Sequence, residues 1–360
     1  MSKKLKAGII GCGGIAEFKY VKALKSIPEV EVVAFCDLIP ERAEKLRKLF
    51  DATDGKTYTD YKELIKDESL DVIHVCTPNS SHSYITVASL KAGKHTQCEK
   101  PMATSYKEAK EMCDAAKETG KLLTIGYQYR CMSAPLYLKS LCEEGELGEI
   151  YFAKAHAIRR RGVPTWGVFL NEKEQGGGPL IDIGTHALDM TLWMLDNYKP
   201  KSVMGSVYKK LGNHPDCGNM FGPWDPKEFT VEDSAFGFIT MENGTTVILE
   251  SSWALNTLDE GEAMCTLCGT KAGADMKKGL RIASDKNGKL TEFKPEFNDG
   301  AVAYVPGGKV ESPEEKEARN FYDAILHGTE LRVKPEQALA VTQILEGIYE
   351  SAKTGKLIEF

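Results

Sequence analysis

Short apolar runs alternate with amphipathic stretches over the first 125 residues of the chain. The runs predict buried strands at 8–10, 30–36, 71–76, 94–98 and 122–125. Apolar positions three or four residues apart predict the intervening helices at 40–50, 80–92 and 105–119. Strands that alternate with helices in this way form a parallel, doubly wound sheet with right-handed crossovers. We therefore predict that residues 1–125 form an α/β domain.

The pattern changes after Gly126, where strand-like runs begin to follow one another directly. Further helices are predicted at 133–144, 180–195, 312–326 and 335–353. Strand-like runs lie at 150–161, 203–208, 234–241, 245–253 and 264–267. Consecutive strands are typical of an α+β domain with a largely antiparallel sheet, which we predict for residues 126–360. A long loop is expected at 211–229.

The first apolar run ends in a glycine-rich segment, Gly11-Cys12-Gly13-Gly14-Ile15-Ala16. Its G-x-G-x-x-G/A spacing, between a predicted strand and a helix-like stretch, is typical of dinucleotide-binding proteins. Gly11 permits the turn, Gly13 lets a pyrophosphate approach the backbone, and Ala16 lets the helix pack closely. Free N–H groups at the start of the helix attract phosphate charge. The alternative is a glycine turn in an α/β protein that binds no nucleotide.

An acidic residue, Asp37, follows the second strand-like run. A Rossmann unit has at this point the acid that binds the ribose hydroxyls of NAD. A carboxylate would repel the 2′-phosphate of NADP, and Leu38 and Ile39 offer no basic group to receive it. The order of strand, glycine turn, helix, strand and acid predicts an N-terminal Rossmann domain that binds NAD rather than NADP.

Lys100 lies in Glu99-Lys100-Pro101, directly after a predicted strand. Because cofactors bind at the carboxyl ends of such strands, we expect Lys100 near the nicotinamide end of the cofactor. A lysine there can hydrogen-bond a substrate hydroxyl and stabilise the alkoxide that develops as hydride leaves. The alternative is a solvated lysine beside a proline turn.

Asp182 and His186 are four residues apart in the predicted helix 180–195, which follows three glycines and a proline. This spacing projects both side chains from one face of a helix. A carboxylate and an imidazole so placed suit proton transfer, because histidine titrates near neutral pH and the acid can orient it. The spacing also suits two metal ligands, but the sequence offers no convincing third ligand, and we predict no metal.

Composition narrows the class of protein. With 360 residues, 42% of them hydrophobic and 27% charged, the chain is typical of a globular protein of about two domains. Its net charge of −6 argues against a nucleic-acid partner. Without a membrane-length apolar run or a signal peptide, we expect a cytoplasmic protein with no membrane partner. The cysteines are expected to be reduced, and the Cys265-Thr-Leu-Cys268 pair to be structural.

Several motifs together resemble the Gfo/Idh/MocA family of NAD(P)-dependent sugar and polyol oxidoreductases. They are GIIGCGGIA at 8–16, Asp37, CTPNSSH at 76–82, CEKPMA at 98–103 and GGGPLIDIGTHALD at 176–189. The strand-rich remainder agrees with the large open-faced sheet domain of that family. The resemblance implies a Rossmann domain followed by a substrate-binding and oligomerisation domain. It also implies a homo-oligomer, either a dimer, a tetramer or a hexamer.

The resemblance implies roles for individual residues. Lys100 corresponds to the lysine of the family's EKP motif, His186 to the catalytic acid/base, and Asp182 to its active-site partner. Gln128 and Arg130 would lie where the second domain begins to contact cofactor and substrate. The residues expected to line the cofactor are Thr77, Pro78, Asn79, His82 and Glu99.

The stretch AHAIRRRGVPTWGVF, at 155–169, is similar to a subgroup of bacterial glycoside oxidoreductases that oxidise the C3 hydroxyl of a glucosyl unit. The arginines at 159–161 alternate across the predicted strand, so one or two would face the substrate, and Arg160 is our candidate. The alternative is that these arginines form a solvated strand end or subunit contacts. Trp166 and Tyr129 offer apolar faces for the C–H side of a sugar ring.

We therefore predict an NAD-dependent dehydrogenase that oxidises a sugar or glycoside, with C3 of a glucosyl unit as the reacting carbon. Three alternatives remain: an inositol dehydrogenase, a glycosidase that uses NAD for transient C3 oxidation, and a non-catalytic NAD-binding regulator. The presence of Lys100, Asp182 and His186 weighs against a regulator, because a sensor needs no acid/base set. The loop at 211–229, with Trp224, is a candidate border for the group attached to the sugar.

Overall fold

The computed structural model describes residues 4–214, 218–297 and 311–360. The chain divides into two compact units. The first consists of Met1–Cys131 and Glu311–Leu339, and the second of Met132–Val310 and Ala340–Phe360. This division differs from the predicted boundary at residue 125, because a segment near the C-terminus returns to the first unit.

Six parallel strands form the sheet of the first unit. They are β1 (Leu5–Ile10), β2 (Val30–Cys36), β3 (Lys56–Tyr58), β4 (Val72–Val75), β5 (His95–Cys98) and β6 (Leu123–Ile125). Their order, β3-β2-β1-β4-β5-β6, is that of a Rossmann fold and confirms the predicted fold class. The sequence pattern did not predict β3, because its three residues contain no apolar run.

The second unit contains a larger sheet. Its strands are β7 (Ile150–Ile158), β8 (Pro200–Tyr208), β9 (Ser234–Met241), β10 (Thr246–Ser252), β11 (Gly261–Gly269), β12 (Ala272–Asp275), β13 (Arg281–Lys286), β14 (Lys289–Phe293) and β15 (Ile358–Glu359). Their order is β14-β13-β12-β11-β7-β10-β9-β8-β15. β7 and β10 pair in parallel, and the other neighbouring strands pair antiparallel, as predicted.

The two faces of this sheet differ. Alternate residues of β7, namely Ala153, Ala155 and Ala157, are fully buried. On the opposite face, Met204 lies opposite Phe238 on the neighbouring strand, and both side chains are exposed. The sheet is therefore open on one face, as the family resemblance implied. One predicted strand is too long, because β7 ends at Ile158 rather than at residue 161.

The described residues also form α-helices. They are α1 (Val21–Lys25), α2 (Pro40–Leu49), α3 (Tyr61–Leu64), α4 (His82–Lys91), α5 (Tyr106–Thr119), α6 (Ser133–Glu143), α7 (Glu172–Gln175), α8 (Thr185–Leu195), α9 (Pro313–His327) and α10 (Pro335–Thr354). The predicted capping box starts α9: Ser312 accepts from the Glu315 N–H, and the Glu315 carboxylate accepts from the Ser312 N–H. Among the helices of the described residues, none has both the length and the apolarity to cross a membrane.

Predicted site residues lie in four short helical turns whose hydrogen bonds are of the π or 3₁₀ type rather than the α-helical type. Two are π-helical, at Ala16–Tyr20 and Leu180–Gly184, and two are 3₁₀ turns, at Asn79–Ser81 and Gln128–Cys131. Such irregular turns are frequent at functional sites, because they change the direction in which a side chain projects.

The parallel sheet is buried on both faces. Ile9 and Ile10 are consecutive residues of β1 and therefore point to opposite faces. Ile10 belongs to one apolar core with Met112 of α5, and Ile9 to another with Phe321 of α9. A parallel sheet needs this cover on both sides, and α9, from the C-terminal segment, supplies part of it.

Candidate active site

The loop after β1 leaves its backbone open. Gly11 has a φ of +90°, and a Cβ at this residue would lie 2.6 Å from the carbonyl carbon of Cys76, so only glycine fits. At Gly13 and Gly14, by contrast, a Cβ would meet no atom within 4 Å. This uncovered backbone precedes a helical turn, which is the arrangement that a pyrophosphate needs.

Asp37 is held at the end of β2 by backbone N–H groups. Its Oδ2 accepts a hydrogen bond from the Cys12 N–H at 2.8 Å, and its Oδ1 accepts from the Ile39 N–H at 2.9 Å. Each oxygen keeps lone-pair capacity for a ribose hydroxyl. The next side chain, Leu38, is exposed and supplies no cation for a 2′-phosphate. The carboxylate is thus fixed beside the glycine loop.

His82 braces the loop that follows β4. Its ring is buried, with Nδ1 2.7 Å from the carbonyl oxygen of Pro101 and Nε2 2.8 Å from that of Thr77. Burial lowers the pKa of His82, so the neutral ring donates to one of these two carbonyls at a time. The ring therefore connects the loop after β4 with the loop that contains Lys100. These contacts support a positioning role, whereas direct contact with the cofactor stays a prediction.

Glu99 turns its carboxylate into the interior of the first unit. Its Oε1 accepts from the Lys19 ammonium at 2.7 Å and from the Tyr20 hydroxyl at 2.9 Å. The same ammonium lies 2.7 Å from Oε2 of Glu317 on α9. The side chains of Lys19, Glu99 and Glu317 are at most 7% exposed. The residue before Lys100 is therefore anchored by a buried cluster of three charged groups.

Burial and charge act against each other in this cluster. Burial would raise the pKa of Glu99, but Lys19 and the hydrogen bonds to the carboxylate lower it below its ordinary value. For Glu317, burial outweighs Lys19 and, together with the negative charge of Glu99, raises the pKa to about 7. Burial would lower the pKa of Lys19, but the two carboxylates raise it. In this cluster Glu99 is therefore an ionised partner of Lys19, whereas the pKa of the Glu317 carboxyl lies near neutral pH.

Lys100 itself is half-buried after β5, and the peptide bond between it and Pro101 is cis. Its position at the carboxyl end of a strand agrees with the sequence expectation. Thr77, Pro78 and Asn79 follow the neighbouring strand β4 at the same edge of the sheet. The lysine and the loop predicted to line the cofactor therefore project from adjacent strand ends.

The 3₁₀ turn Gln128–Cys131 follows β6 in the first unit. Arg130 is fully buried there, and its Nη1 donates to the Arg332 carbonyl at 2.8 Å and to Oε1 of Gln337 at 2.7 Å. These bonds fasten the turn to the C-terminal segment of the same unit. The roles expected of Gln128, Tyr129 and Arg130 toward cofactor and substrate stay predictions.

In the second unit, Asp182 and His186 lie on one helical stretch. Asp182 is in the π-helical turn Leu180–Gly184, and His186 is in the first turn of α8. His186 is buried and Asp182 is half-buried. A π-helical turn is wider than an α-helical one, so a separation of four residues does not by itself put the two side chains on one face.

The glycines before this stretch are required by packing. A Cβ on Gly177 would collide with the Tyr349 hydroxyl, and one on Gly178 with the backbone carbonyl of Glu232. The Glu232 carboxylate accepts from the Gly178 N–H at 2.7 Å, the Leu180 N–H at 3.1 Å and the Tyr349 hydroxyl at 2.8 Å. It therefore satisfies donors at the start of the helix. Burial raises the pKa of Glu232, although these hydrogen bonds oppose the change.

A buried tryptophan orients Asp182. The indole N–H of Trp253 donates to Oδ2 of Asp182 at 3.1 Å, and the Trp253 side chain is fully buried after β10. Trp166 is half-exposed, in contact with other aromatic rings. Trp224 does not border open space, because it is buried and its indole N–H donates to the Gly212 carbonyl within its own loop. Part of that loop, residues 215–217, lies outside the described residues.

The three consecutive arginines have separate environments. Arg159 forms a two-point ion pair with Glu262, with both N···O distances 2.6 Å, and Arg161 donates to Oδ1 of Asn256 at 2.5 Å. Arg160 is exposed. Simple alternation across a strand does not apply, because β7 has already ended. A contact between Arg160 and substrate stays a prediction.

Sequence reasoning missed four residues that support the site: Lys19, Glu317, Glu232 and Trp253. Lys19 could have been found from sequence, because α-helical spacing predicts it on the same face as Ala16, which is expected to pack closely, and a buried lysine needs a buried partner. The other three lie far along the chain from the groups they contact, and no local spacing marks them.

Cys265 and Cys268, the pair expected to be structural, both belong to the second unit. They are free thiols on β11, and residues three apart on a strand point to opposite faces. Across residues 4–214, 218–297 and 311–360, no three histidine, cysteine or acidic side chains gather to hold a metal ion.

Comparison with known proteins covers both units. Residues 5–127 match the model of an oxidoreductase family with an NAD-binding Rossmann fold, and residues 136–275 match the GFO/IDH/MocA C-terminal domain. The chain is 35% identical over 359 residues to D-glucoside 3-dehydrogenase of Escherichia coli K12. The matched region covers 99% of this chain and 98% of that protein. It is 38% identical over 197 residues to glucose-6-phosphate 3-dehydrogenase of Bacillus subtilis, covering 53% of this chain and 54% of that protein.

Solved structures have the same fold. Levoglucosan dehydrogenase, in complex with NADH and levoglucosan, is similar with a TM-score of 0.81 over 99% of each chain. The two sequences are 22% identical, so this likeness establishes the architecture only.

Proposed function

The chain belongs to the Gfo/Idh/MocA family of NAD-dependent oxidoreductases, and we propose that it oxidises the C3 hydroxyl of a glucosyl unit, free or in a glycoside. One observation carries the proposal: the similarity to D-glucoside 3-dehydrogenase extends over 99% of this chain. The matched region therefore spans both units, and with them the positions of the glycine loop, Lys100, Asp182 and His186, rather than the cofactor domain alone.

The first unit fits NAD. The uncovered backbone at Gly13 and Gly14 suits a pyrophosphate, and both oxygens of Asp37 are oriented by backbone N–H groups for ribose hydroxyls. We assign the pyrophosphate to residues 11–16 and the ribose to Asp37. When bound, NAD supplies the acceptor for a hydride.

We assign the acid and base steps of the reaction to side chains of the protein. Lys100 hydrogen-bonds the reacting hydroxyl oxygen and stabilises negative charge that develops on it. His186 takes the hydroxyl proton, because a neutral imidazole is a suitable base near neutral pH. Asp182, oriented by the Trp253 indole N–H, accepts a hydrogen bond from the sugar. The O–H proton thus goes to His186, the carbon loses its hydrogen as hydride, and a ketone forms.

A substrate panel tests the proposal. The protein would be incubated with NAD and glucose, methyl and phenyl glucosides, a C-glucoside and inositols, and any new ketone would be located by NMR. We expect a ketone at C3 of the glucosyl substrates and one reduced cofactor per ketone. Exclusive oxidation of inositols, or a ketone at another carbon, would contradict the proposal. Glycoside cleavage without accumulation of reduced cofactor would instead favour the NAD-dependent glycosidase.

The open face of the second sheet supports a homo-oligomer. Met204, Tyr208 and Phe238 are each at least 42% exposed on this face, and an exposed apolar patch commonly marks a contact surface. A sedimentation mass equal to one chain would contradict this assignment. The cysteines that the structure describes are free thiols, which supports a reducing compartment such as the cytoplasm.

A further inference from the structure

Two aromatic side chains of the second unit contact each other while remaining open to solvent. The ring centroids of Trp166 and Phe221 are 4.9 Å apart, with an interplanar angle of 89°. Trp166 is 53% exposed and Phe221 is 40% exposed. Edge-to-face contact is a favourable geometry for aromatic rings, but it leaves much apolar area in water. The pair is therefore a candidate contact surface for a ligand with an apolar face.

Hydrogen bonds between two loops hold the pair in place. The amide of Asn219 bonds the backbone of Val163 from both ends: its Oδ1 accepts from the Val163 N–H at 2.9 Å, and its Nδ2 donates to the Val163 carbonyl at 2.9 Å. The hydroxyl of Thr165 donates to the carbonyl of Phe221 at 2.7 Å. The rings are therefore positioned before any ligand arrives, which reduces the entropy that binding would lose.

A continuous set of contacts connects this pair to the proposed active site. Trp166 packs edge-on against Phe169 at 5.8 Å, and Phe169 packs edge-on against Trp253 at 6.3 Å. The indole N–H of Trp253 is the donor to Asp182. The exposed pair and the carboxylate assigned to the sugar thus belong to one aromatic cluster within the second unit.

We propose that Trp166 and Phe221 form a subsite for the ring attached to the anomeric oxygen of the glucosyl substrate. The subsite takes an aryl aglycone or a second sugar ring, because both present an apolar face to aromatic side chains. Trp253 and Phe169 separate it from Asp182, so the reacting ring and the attached ring occupy different parts of the cluster. The inference rests on the proposed function and adds a preference for glucosides whose attached group contains a ring.

Relative rates on three substrates test the subsite: phenyl glucoside, a glucosyl disaccharide and methyl glucoside, whose methyl group has no ring. We expect wild-type kcat/KM to be higher for the first two than for the third. Phe221→Ala and Trp166→Ala should each reduce this preference about 2- to 10-fold, the effect of one aromatic contact. Trp166→Phe should retain most of it. Phe293→Ala, at a ring that is 55% exposed on β14, should leave the preference unchanged.

The outcomes distinguish this inference from the proposed function. If wild type oxidises methyl glucoside and the variants keep the wild-type preference, or lose activity equally on all three substrates, the subsite is wrong and the function stands. If only the disaccharide or only the phenyl preference falls, the subsite is supported, and the result shows which of the two kinds of ring it binds. A change of oligomer size with an unchanged preference would make the pair a contact between copies and overturn the subsite. If wild type oxidises none of the three, both proposals fail.

Discussion

Glu99 in the first unit and Glu232 in the second are buried carboxyls beside elements that we assign to catalysis. Glu99 immediately precedes Lys100, and Glu232 caps the helical stretch that contains Asp182 and His186. Burial acts on both in the same direction, yet the pKa of Glu99 is lowered and that of Glu232 is raised.

The partners explain the difference. Glu99 has a full positive charge, the ammonium of Lys19, at 2.7 Å, which compensates for lost hydration. Glu232 has two backbone N–H groups and the Tyr349 hydroxyl, whose dipoles compensate only in part. The support of Lys100 therefore depends on charge balance, whereas the support of the Asp182 helix depends on hydrogen-bond geometry.

The largest expected effects test whether the loop that contains Lys100 and the helix that contains His186 both serve the reaction. Lys100→Ala and His186→Ala should each lower kcat by ~10²–10⁴-fold, the usual contribution of general acid–base groups. NAD affinity should change little, because the phosphates are assigned to residues 11–16. Steady-state kinetics and titration with NAD measure the two quantities, with Lys117→Ala on the exposed face of α5 as a control. Near-normal turnover in either variant would remove that residue from the mechanism.

A matched pair of variants tests whether Glu99 depends on the charge of Lys19 while Glu232 depends on the dipoles of its hydrogen-bond donors. Lys19→Met leaves two buried carboxylates without their cation, so we expect a loss of about 3–5 kcal/mol in the free energy of unfolding. Glu232→Gln keeps an acceptor oxygen, and a smaller loss of about 1–3 kcal/mol is expected. Urea denaturation measures both. The Lys19→Met loss should grow as the pH rises above about 7, where wild-type Glu317 ionises beside Lys19 but Glu317 of the variant, which lacks that cation, keeps its proton. Equal losses that do not depend on pH would refute the contrast.

A further test concerns the pH dependence of stability that Glu317 produces. Its pKa is about 7 in the folded protein against 4.5 for an ordinary glutamate, so the folded state binds the proton more tightly. This stabilisation is complete below pH 4.5 and is lost as the pH rises through about 7. The melting temperature of wild type should therefore fall over this interval relative to Glu317→Gln. Glu118→Gln, at an exposed position of α5, serves as the control and should follow wild type.

Much of the first unit could be predicted from sequence because its signals are local. The apolar runs predicted five of the six strands of the parallel sheet, and the glycine spacing predicted the loop after β1. Asp37 was placed by its position after β2 and is held beside that loop. Each of these features depends on neighbouring residues, whose backbone preferences and periodicity the sequence displays directly.

Prediction failed where local signal was weak or misleading. β12, β13 and β14 follow one another with few buried apolar residues, so no run marked them. The sequence offers the loop 211–229, with Trp224, as a border for the group attached to the sugar, but Trp224 is buried and the nearby Phe221 is the exposed ring. Which aromatic residue of a loop faces solvent depends on what the rest of the loop packs against.

The sequence by itself determined the order of the elements, the Rossmann loop and the residue types available for chemistry. Only the tertiary structure decided which groups support them: Glu317 against Lys19, Glu232 on the helix after Gly178, and Trp253 on Asp182. The partners in these contacts are separated by 298, 54 and 71 residues. Local propensity carries no information across such separations. These partners meet in the fold because each buried charge or donor has lost its contact with water and needs an ion-pair or hydrogen-bond partner in its place.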